Sequence, residues 1–258
     1  YWLPGILPPF QPMCDNLRKF LCEGCRQGYY PGAVAAIDFH GETRWVACGR
    51  QTPEKTAREI QIDTIFDIAS LTKPVATGTA VLQLIEAGNL RLDTPIVEIL
   101  PELGFDPEKE TITIHHLLTH TSGLPAWKPL YIMCASPDRA LATIAGVPLE
   151  SKPGFRVEYS CLGFVLLAEA IRRQSGLTLA SYCERSIFKP LNMRSTLFNP
   201  PSKLRHRIAP TEEGNAFERS MAGDSGDQYP NWRVHRLHGE VHDGNAWFAG
   251  GEGGNAGL

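Results

Sequence analysis

The sequence predicts an α+β protein that is mostly helical, and three observations lead to that class. An amphipathic segment near the start precedes two short segments whose composition is typical of β-strands. Residues 63–200 then carry apolar residues at helical spacing, with Pro and Gly between the segments. Residues 199–258 are mostly irregular, with short helical or extended pieces expected. The 258 residues are enough for one large domain or two modest ones.

The N-terminal elements are predicted to be one helix and one β-hairpin. The helix spans residues 15–27 and begins at Asp15, a favourable N-cap residue. The strands are residues 33–39 and 43–47, with Gly41 in the turn between them. A single hairpin is at best marginally stable on its own. Either partner strands lie outside this sequence, or the strand prediction is wrong.

Five longer helices are expected in the middle of the chain. Pro74 lacks an N–H group and clashes with the preceding helical turn, so the first of these helices has to begin close to Ser70. Ser136 is a suitable N-cap for the third. The predicted helices are Ser70–Ala87, Ile114–Thr121, Pro137–Ala145, Ser160–Arg173 and Thr178–Phe188.

Composition excludes several classes of function. The chain is 43% hydrophobic and 21% charged, with 25 Lys and Arg against 28 Asp and Glu, which is ordinary for a soluble globular protein. We therefore expect no nucleic-acid partner. We also expect no membrane partner, because no apolar run approaches the roughly 18–20 residues of a membrane helix. Seven dispersed cysteines indicate reduced thiols and a cytoplasmic location, with a trimmed export signal as the alternative.

Ser70 and Lys73 form the first candidate catalytic pair. Residues at positions i and i+3 share one face of a helix, so the Lys73 ammonium can reach the Ser70 hydroxyl. A serine at a helix N-terminus also benefits from the positive end of the helix dipole. The alternative interpretation is a capping serine followed by a solvated lysine.

Tyr159 is the second candidate, because it stands just before the apolar helix predicted from Ser160. A tyrosine close to a lysine ammonium can take a proton from a serine. The alternative is a tyrosine buried in the core.

Two further patterns point weakly to metal binding. His116 and His120 have the i, i+4 spacing of zinc proteases, but Leu117 stands where such enzymes have their catalytic Glu. Cys22 and Cys25 form a C-x-x-C motif without a second pair, whereas zinc needs four ligands. We expect no metal and no organic cofactor.

The chain resembles the serine β-lactamase and penicillin-binding-protein superfamily, for which S-x-x-K is a known signature. The resemblance lies in the Ser70–Lys73 pair, the Tyr159 segment and the stretch that contains His116 and His120, taken together. The resemblance is closest to the class C-like branch, which includes esterases and DD-peptidases. The stretches that carry it are Phe66–Pro74, Leu90–Pro95, Leu117–Pro125, the segment around Tyr159, Pro190–Met193 and Asn255–Leu258.

The resemblance implies a β-lactamase/transpeptidase-like fold, an α/β sandwich combined with a helical domain. Residues 1–62 would be the N-terminal part of the α/β domain, and residues 63–258 a mainly helical domain that bears the nucleophile helix and ends in a Gly-rich segment. By position, Ser70 would be the nucleophile, Lys73 its activating partner and Tyr159 the general base.

The sequence departs from the family pattern at two places. Cys161 stands where the second motif usually has Asn or Asp, and a thiol is a weak hydrogen-bond partner. The third motif, Lys-Thr-Gly or His-Thr-Gly, is absent from the sequence. We expect that motif, the family's C-terminal strands and its last helix to lie beyond Leu258. Cys161, His242 and Asn255 are predicted to bind substrate or shape the site.

The predicted function is a serine hydrolase that forms an acyl-enzyme, most simply a carboxylesterase on small esters. The alternatives are a β-lactamase or DD-peptidase acting on an amide, and a catalytically inert binding member of the same fold. The expected partner is a small-molecule ester or amide. The sequence does not determine the oligomeric state or the acyl group.

Overall fold

The computed structural model describes residues 10–254, and the chain divides into two compact units. The first comprises Tyr1–Phe66 and Ser202–Pro210, and the second comprises Asp67–Pro201 and Thr211–Leu258. The boundary that we predict after residue 62 stays a prediction about domain organisation.

The first unit contains the helix and the hairpin that the sequence predicts. Helix α1 is Phe10–Arg26, and strands β1 (Gly32–Phe39) and β2 (Glu42–Gly49) pair antiparallel. The connecting residues His40 and Gly41 both have positive φ angles, 53° and 80°. Two such residues make the turn whose twist matches a hairpin, so Gly41 serves the turn as expected.

Helix α1 packs against the hairpin through thiol and apolar side chains. Cys14 and Val46 are buried in this unit. The Sγ atoms of Cys25 and Cys48 are 3.7 Å apart. Gly49 has a φ of 77°, and a Cβ there would lie 2.8 Å from the Cys25 sulfur, so this close approach requires glycine. None of the seven cysteines, all of which lie within the described residues, forms a disulfide.

The second unit is mainly helical and carries one short sheet. Its strands β3 (Glu212–Glu213) and β4 (Arg236–Leu237) pair antiparallel. Its α-helices are α2 (Thr79–Glu86), α3 (Ile114–Leu118), α4 (Leu130–Met133), α5 (Ala140–Gly146), α6 (Cys161–Ser175), α7 (Leu179–Cys183), α8 (Ala216–Ala222), α9 (Asp224–Asp227) and α10 (Gly244–Phe248).

The predicted helix Ser70–Ala87 is a composite of three helical types. A 3-10 turn at Ala69–Leu71 leads into a π-helical segment at Lys73–Gly78, and α2 follows. Pro74 supplies no backbone N–H, so regular α-helical hydrogen bonding cannot pass through this position. The predicted helix Thr178–Phe188 likewise ends in π geometry, at Glu184–Phe188.

The core of the second unit is built around α2 and α6. Helix α6 begins at the N-cap Ser160, whose side chain accepts from the Gly163 N–H, and ends at Gly176 in the left-handed conformation. Each apolar side chain buried here contributes about 1.5–3 kcal/mol. The buried residues of the two helices are Ala80, Val81, Leu84, Leu162, Phe164, Leu166, Leu167, Ala170 and Ile171.

Within residues 10–254, no helix has both the length and the apolar character that crossing a membrane requires.

Candidate active site

Ser70 lies in a tight turn that is set by Asp67 and Ala69. Ala69 has a φ of 49°, in the left-handed region that costs a residue with a Cβ roughly 1–2 kcal/mol. The Asp67 carboxylate accepts a hydrogen bond from the Ala69 N–H at 2.7 Å, a local contact typical of aspartate in turns. This turn leaves the Ser70 side chain exposed.

Lys73 is buried, with only 2% of the residue exposed. Its ammonium donates to Ser70 Oγ at 3.2 Å and to Cys161 Sγ at 3.5 Å. The same nitrogen lies 4.8 Å from the ring centre of Tyr159 and 5.8 Å from that of Phe164. The structure thus brings together four of the predicted site residues around one buried ammonium group.

The Tyr159 segment is held on a loop by backbone hydrogen bonds. The Glu158 N–H donates to the His120 carbonyl, and the Cys161 N–H donates to the Ala126 carbonyl, both at 2.8 Å. Between them, the Ser160 hydroxyl donates to the Pro125 carbonyl at 2.7 Å. Residues 120–126, the site loop, therefore fix Tyr159 next to Lys73.

His120 is the side chain of the site loop that contacts Tyr159. Their ring centres are 4.4 Å apart, and His120 Nδ1 accepts from the Ser160 N–H at 3.0 Å. Burial, aided by the charge of Lys73, lowers the pKa of His120. A neutral imidazole with its proton on Nε2 fits both the acceptor role and the lowered pKa.

The other histidine of the predicted i, i+4 pair caps a helix. His116 Nδ1 accepts from the Thr113 N–H at 3.2 Å, and Thr113 Oγ1 accepts from the His116 N–H at 3.3 Å. This reciprocal arrangement is a capping box for α3. Among the residues that the structure describes, no cluster of His, Cys, Asp or Glu is arranged to hold a metal ion.

Two neighbouring cavities meet at Tyr159. The first, of about 630 Å³, is lined by Ser70, Lys73, His120, Tyr159 and Phe164 among others. The second, of about 420 Å³, shares Tyr159 with the first. Its remaining lining residues are Ala126, Trp127, Cys161, Thr211, Glu212, Phe217, Glu218, Met221, His242 and Asp243.

His242 lines the second cavity and is paired with Asp67. Its backbone N–H and its Nδ1 donate to Asp67 Oδ2 at 3.1 and 3.0 Å. The hydrogen bond to Asp67 raises the pKa of His242, although burial opposes this effect. Burial raises the pKa of Asp67, but the contacts with His242 outweigh it, so that this pKa is lowered overall. Both pKa shifts favour the ionic form of the pair, a protonated His242 beside an ionised Asp67.

Asn255, which we predict to shape the site, lies outside the described residues. Sequence reasoning missed Asp67, although it stands in the stretch Phe66–Pro74 and its spacing from Ala69 is a recognisable turn signal. It also missed Glu218, whose carboxylate accepts from the Gly244 N–H at 3.0 Å. No local pattern marks Glu218, because its partner is 26 residues away in the chain.

Comparisons with known proteins agree on one family. The family model described as Beta-lactamase matches residues 17–257. A protein of Escherichia coli (strain K12) named "Putative D-alanyl-D-alanine carboxypeptidase" is 34% identical over 212 residues, which are 76% of this chain and 47% of that protein. An N-acetylmuramyl-L-alanine amidase of Bacillus subtilis (strain 168) is 31% identical, over 76% of this chain and 46% of its own length.

Solved structures share the fold. A class C beta-lactamase superposes with a TM-score of 0.68 at 20% identity, over 77% of this chain and 54% of its own. An octameric penicillin-binding protein homologue from Pyrococcus abyssi gives a TM-score of 0.66 at 26% identity, over 76% and 47%. The chain spans about half the length of the curated relatives it matches. The predicted β-lactamase/transpeptidase-like fold is confirmed.

Proposed function

Because this chain belongs to the beta-lactamase family, we propose that it acts as a serine hydrolase with Ser70 as the nucleophile. The observation that carries the proposal is the 3.2 Å hydrogen bond from the buried Lys73 ammonium to Ser70 Oγ. A nucleophile within hydrogen-bond reach of a proton-transfer group, which is itself oriented by further contacts, is the arrangement that covalent catalysis needs.

The proposed reaction is acyl transfer through an ester intermediate. In the proposed reactive form Tyr159 is a phenolate beside the Lys73 ammonium; Ser70 Oγ attacks the substrate carbonyl, and its proton passes to the Tyr159 oxygen of this pair. The same pair returns the proton to the leaving group as the bond to the carbonyl carbon breaks. Water then attacks the acyl-enzyme, gives up a proton through this pair, and releases the acid with a free Ser70. The nearby positive charge of Lys73 stabilises negative charge on the reacting oxygens.

The proposed substrates are small carboxylic esters with an apolar acyl group. The cavity that adjoins Tyr159 has apolar walls formed by Trp127, Phe217 and Met221, which suit such a group. The Cys161 Sγ accepts a hydrogen bond from Lys73 at 3.5 Å, at the position of the family's usual amide or carboxylate. A thiol there is a weak partner for a substrate amide. An ester substrate depends less on a hydrogen bond with residue 161.

A second candidate function is hydrolysis of a peptide or β-lactam amide. The names of the two curated relatives favour it, since one is a D-alanyl-D-alanine carboxypeptidase and the other an amidase. An inert binding protein is the third candidate, and the formed contact between Ser70 and Lys73 argues against it.

The test is covalent labelling of the full-length protein with a fluorophosphonate, followed by peptide mapping and assays on p-nitrophenyl esters, a penicillin and a D-alanyl-D-alanine peptide. We expect the label on Ser70 and the highest kcat/KM on an ester. Ser70→Ala should lower esterase kcat/KM by about 10⁴-fold or more. The exposed Ser225, which lies in α9, provides the control Ser225→Ala, with unchanged activity expected.

Each result decides between the candidates. A higher kcat/KM on the peptide or the penicillin would favour the amidase function. A wild-type protein without label or turnover would leave the binding protein as the explanation.

Tyr159→Phe tests the proton-transfer role separately from the nucleophile. We expect acylation to slow by about 10²–10⁴-fold, because a positioned proton acceptor contributes that much. The hydroxyl is the only group removed, and the ring contact with His120 is kept. Rapid-quench measurement of acylation would show it, and an unchanged rate would leave Lys73 as the base.

A further inference from the structure

The Asp67 side chain connects the turn before Ser70 to a loop 175 residues further along the chain. It is 11% exposed, and both of its oxygens are engaged. Oδ1 accepts from the Ala69 N–H, and Oδ2 accepts from the backbone and ring nitrogens of His242. We propose that the Asp67–His242 pair is a positioning device that holds Ser70 in its reactive orientation. This inference rests on the proposed role of Ser70 as nucleophile.

The device acts through the strained residue that precedes the nucleophile. Ala69 holds a φ of 49°, and a residue with a Cβ adopts this conformation only where its surroundings impose it. The 2.7 Å hydrogen bond to Asp67 is the contact that imposes it here. If Ala69 relaxed to a negative φ, the peptide between Ala69 and Ser70 would rotate. The Ser70 N–H and side chain would then move away from their present positions.

His242 can act as an anchor because its own loop is fixed. Its carbonyl accepts from Asn215 Nδ2 at 2.9 Å and from the Arg233 guanidinium. Two residues later, the Gly244 N–H donates to the Glu218 carboxylate at 3.0 Å. The loop therefore cannot follow Asp67 if the turn shifts, and the ion pair transmits the rigidity of this loop to the Ser70 turn.

The strength of the contact between Asp67 and His242 depends on the charge of His242 as well as on its position. An imidazolium adds the attraction between opposite charges to its hydrogen bond with the carboxylate. Deprotonation of His242, as the pH rises through its raised pKa, should therefore weaken its contact with Asp67. Asp67 would then hold the Ala69 N–H less rigidly. The other charged groups that act on His242 besides Asp67 are Asp243, Glu212, Glu218 and Arg233.

The experiment measures the fluorophosphonate labelling rate at Ser70, esterase kcat and KM, and the melting temperature of the full-length protein. Asp67→Ala should lower kcat and the labelling rate by about 10²-fold, since a misplacement of about 1 Å has that effect, while KM changes less than about twofold. Asp93→Asn is the matched control. Asp93 pairs with Arg91 at the surface, and we expect no change.

His242→Asn separates positioning from simple structural support. The Asn amide keeps a neutral hydrogen-bond donor near Asp67. The labelling rate at Ser70 should therefore be at least about tenfold higher in His242→Asn than in Asp67→Ala. The variant should also lose the alkaline decline of the wild-type labelling rate, because no group at position 242 then titrates. A purely structural role would lower the melting temperature without altering this pH profile.

The outcomes are distinguishable. If Asp67→Ala is labelled at the wild-type rate, or if its loss of kcat/KM comes entirely from KM, the inference is overturned and the proposed function stays intact. If Asp67→Ala does not fold, a pH profile shared by the wild type and His242→Asn would overturn it instead. A wild-type protein that is not labelled at Ser70 would overturn the proposed function, and the inference with it.

Discussion

The two segments that meet at Lys73 are held by different kinds of interaction. The turn before Ser70 depends on a partly buried ion pair between Asp67 and His242. The Tyr159 segment depends on backbone hydrogen bonds to the site loop, residues 120–126. One half of the site is therefore held largely by charged side chains and the other by neutral groups, mainly of the backbone. We expect single side-chain changes to act mainly on the first half, and changes in backbone geometry to act mainly on the second.

The two halves also contain histidines whose pKa values are shifted in opposite directions. The pKa of His242 is raised, so its contribution to stability is complete below its ordinary pKa of 6.5 and is lost as the pH rises through the raised value. The pKa of His120 is lowered from 6.5, so stability falls as the pH drops below that value. Acid weakens the Tyr159 half and alkali weakens the Ser70 half. The site is best formed between these limits.

The largest effect is expected from Gly123→Ala, in the site loop. Gly123 has a φ of 80°, and a Cβ there would lie 2.0 Å from the Ser151 carbonyl oxygen. Left-handed strain and overpacking should together destabilise the fold by roughly 4 kcal/mol. Chemical denaturation measures this loss.

Gly176→Ala is the matched control for that prediction. Gly176 has a φ of 72° but open space around the position of a Cβ, so only the left-handed strain of about 1 kcal/mol remains. Equal losses in the two variants would mean that the close contact with Ser151 is not what fixes the site loop.

The next effect concerns the loop that anchors His242. Burial raises the pKa of Glu218 from 4.5 to about 7. A carboxylate with a raised pKa makes the folded protein less stable as the pH rises through that interval, by on the order of 3 kcal/mol. Denaturation between about pH 5 and pH 8 should show this slope, and Glu218→Gln should remove most of it. An identical slope in the variant would exclude Glu218 as its source.

The smallest effect is a shift in a single titration. Asp67→Asn removes the carboxylate that raises the pKa of His242, so this pKa should fall toward 6.5. NMR titration of the histidine ring signals measures it. The pKa of His120 should stay where it is, because Asp67 is not among its perturbing groups. A parallel shift of both histidines would contradict the separation of the two halves.

Much of the fold and part of the site could be predicted from local sequence signals. The S-x-x-K spacing predicts contact between Ser70 and Lys73, and the structure has it at 3.2 Å. The hairpin follows from strand-like composition with Gly41 in the turn, and helix α6 follows from helical periodicity. The family resemblance is confirmed by the match to residues 17–257. The roles of Ser70, Lys73 and Tyr159 stay predictions that the labelling experiments test.

The sequence failed where geometry departs from the regular helix. The segment from Ser70 to Ala87 has the apolar periodicity of one helix, yet the structure has a 3-10 turn, a π-helical segment and then α2. Segments of 3 and 6 residues are too short for the periodicity of apolar residues to separate these forms, although the forms differ in residues per turn and in backbone hydrogen bonds.

By itself, the sequence determined the fold class, the family and the pairing of Ser70 with Lys73, because short motifs and the local spacing of residues carry these signals. The tertiary structure alone decided that Asp67 joins His242 and that Cys161 reaches Lys73, contacts that span 175 and 88 residues. It also decided which histidine is more easily protonated. Burial and neighbouring charge set the protonation of His120 and His242, and neither exists before the chain is folded.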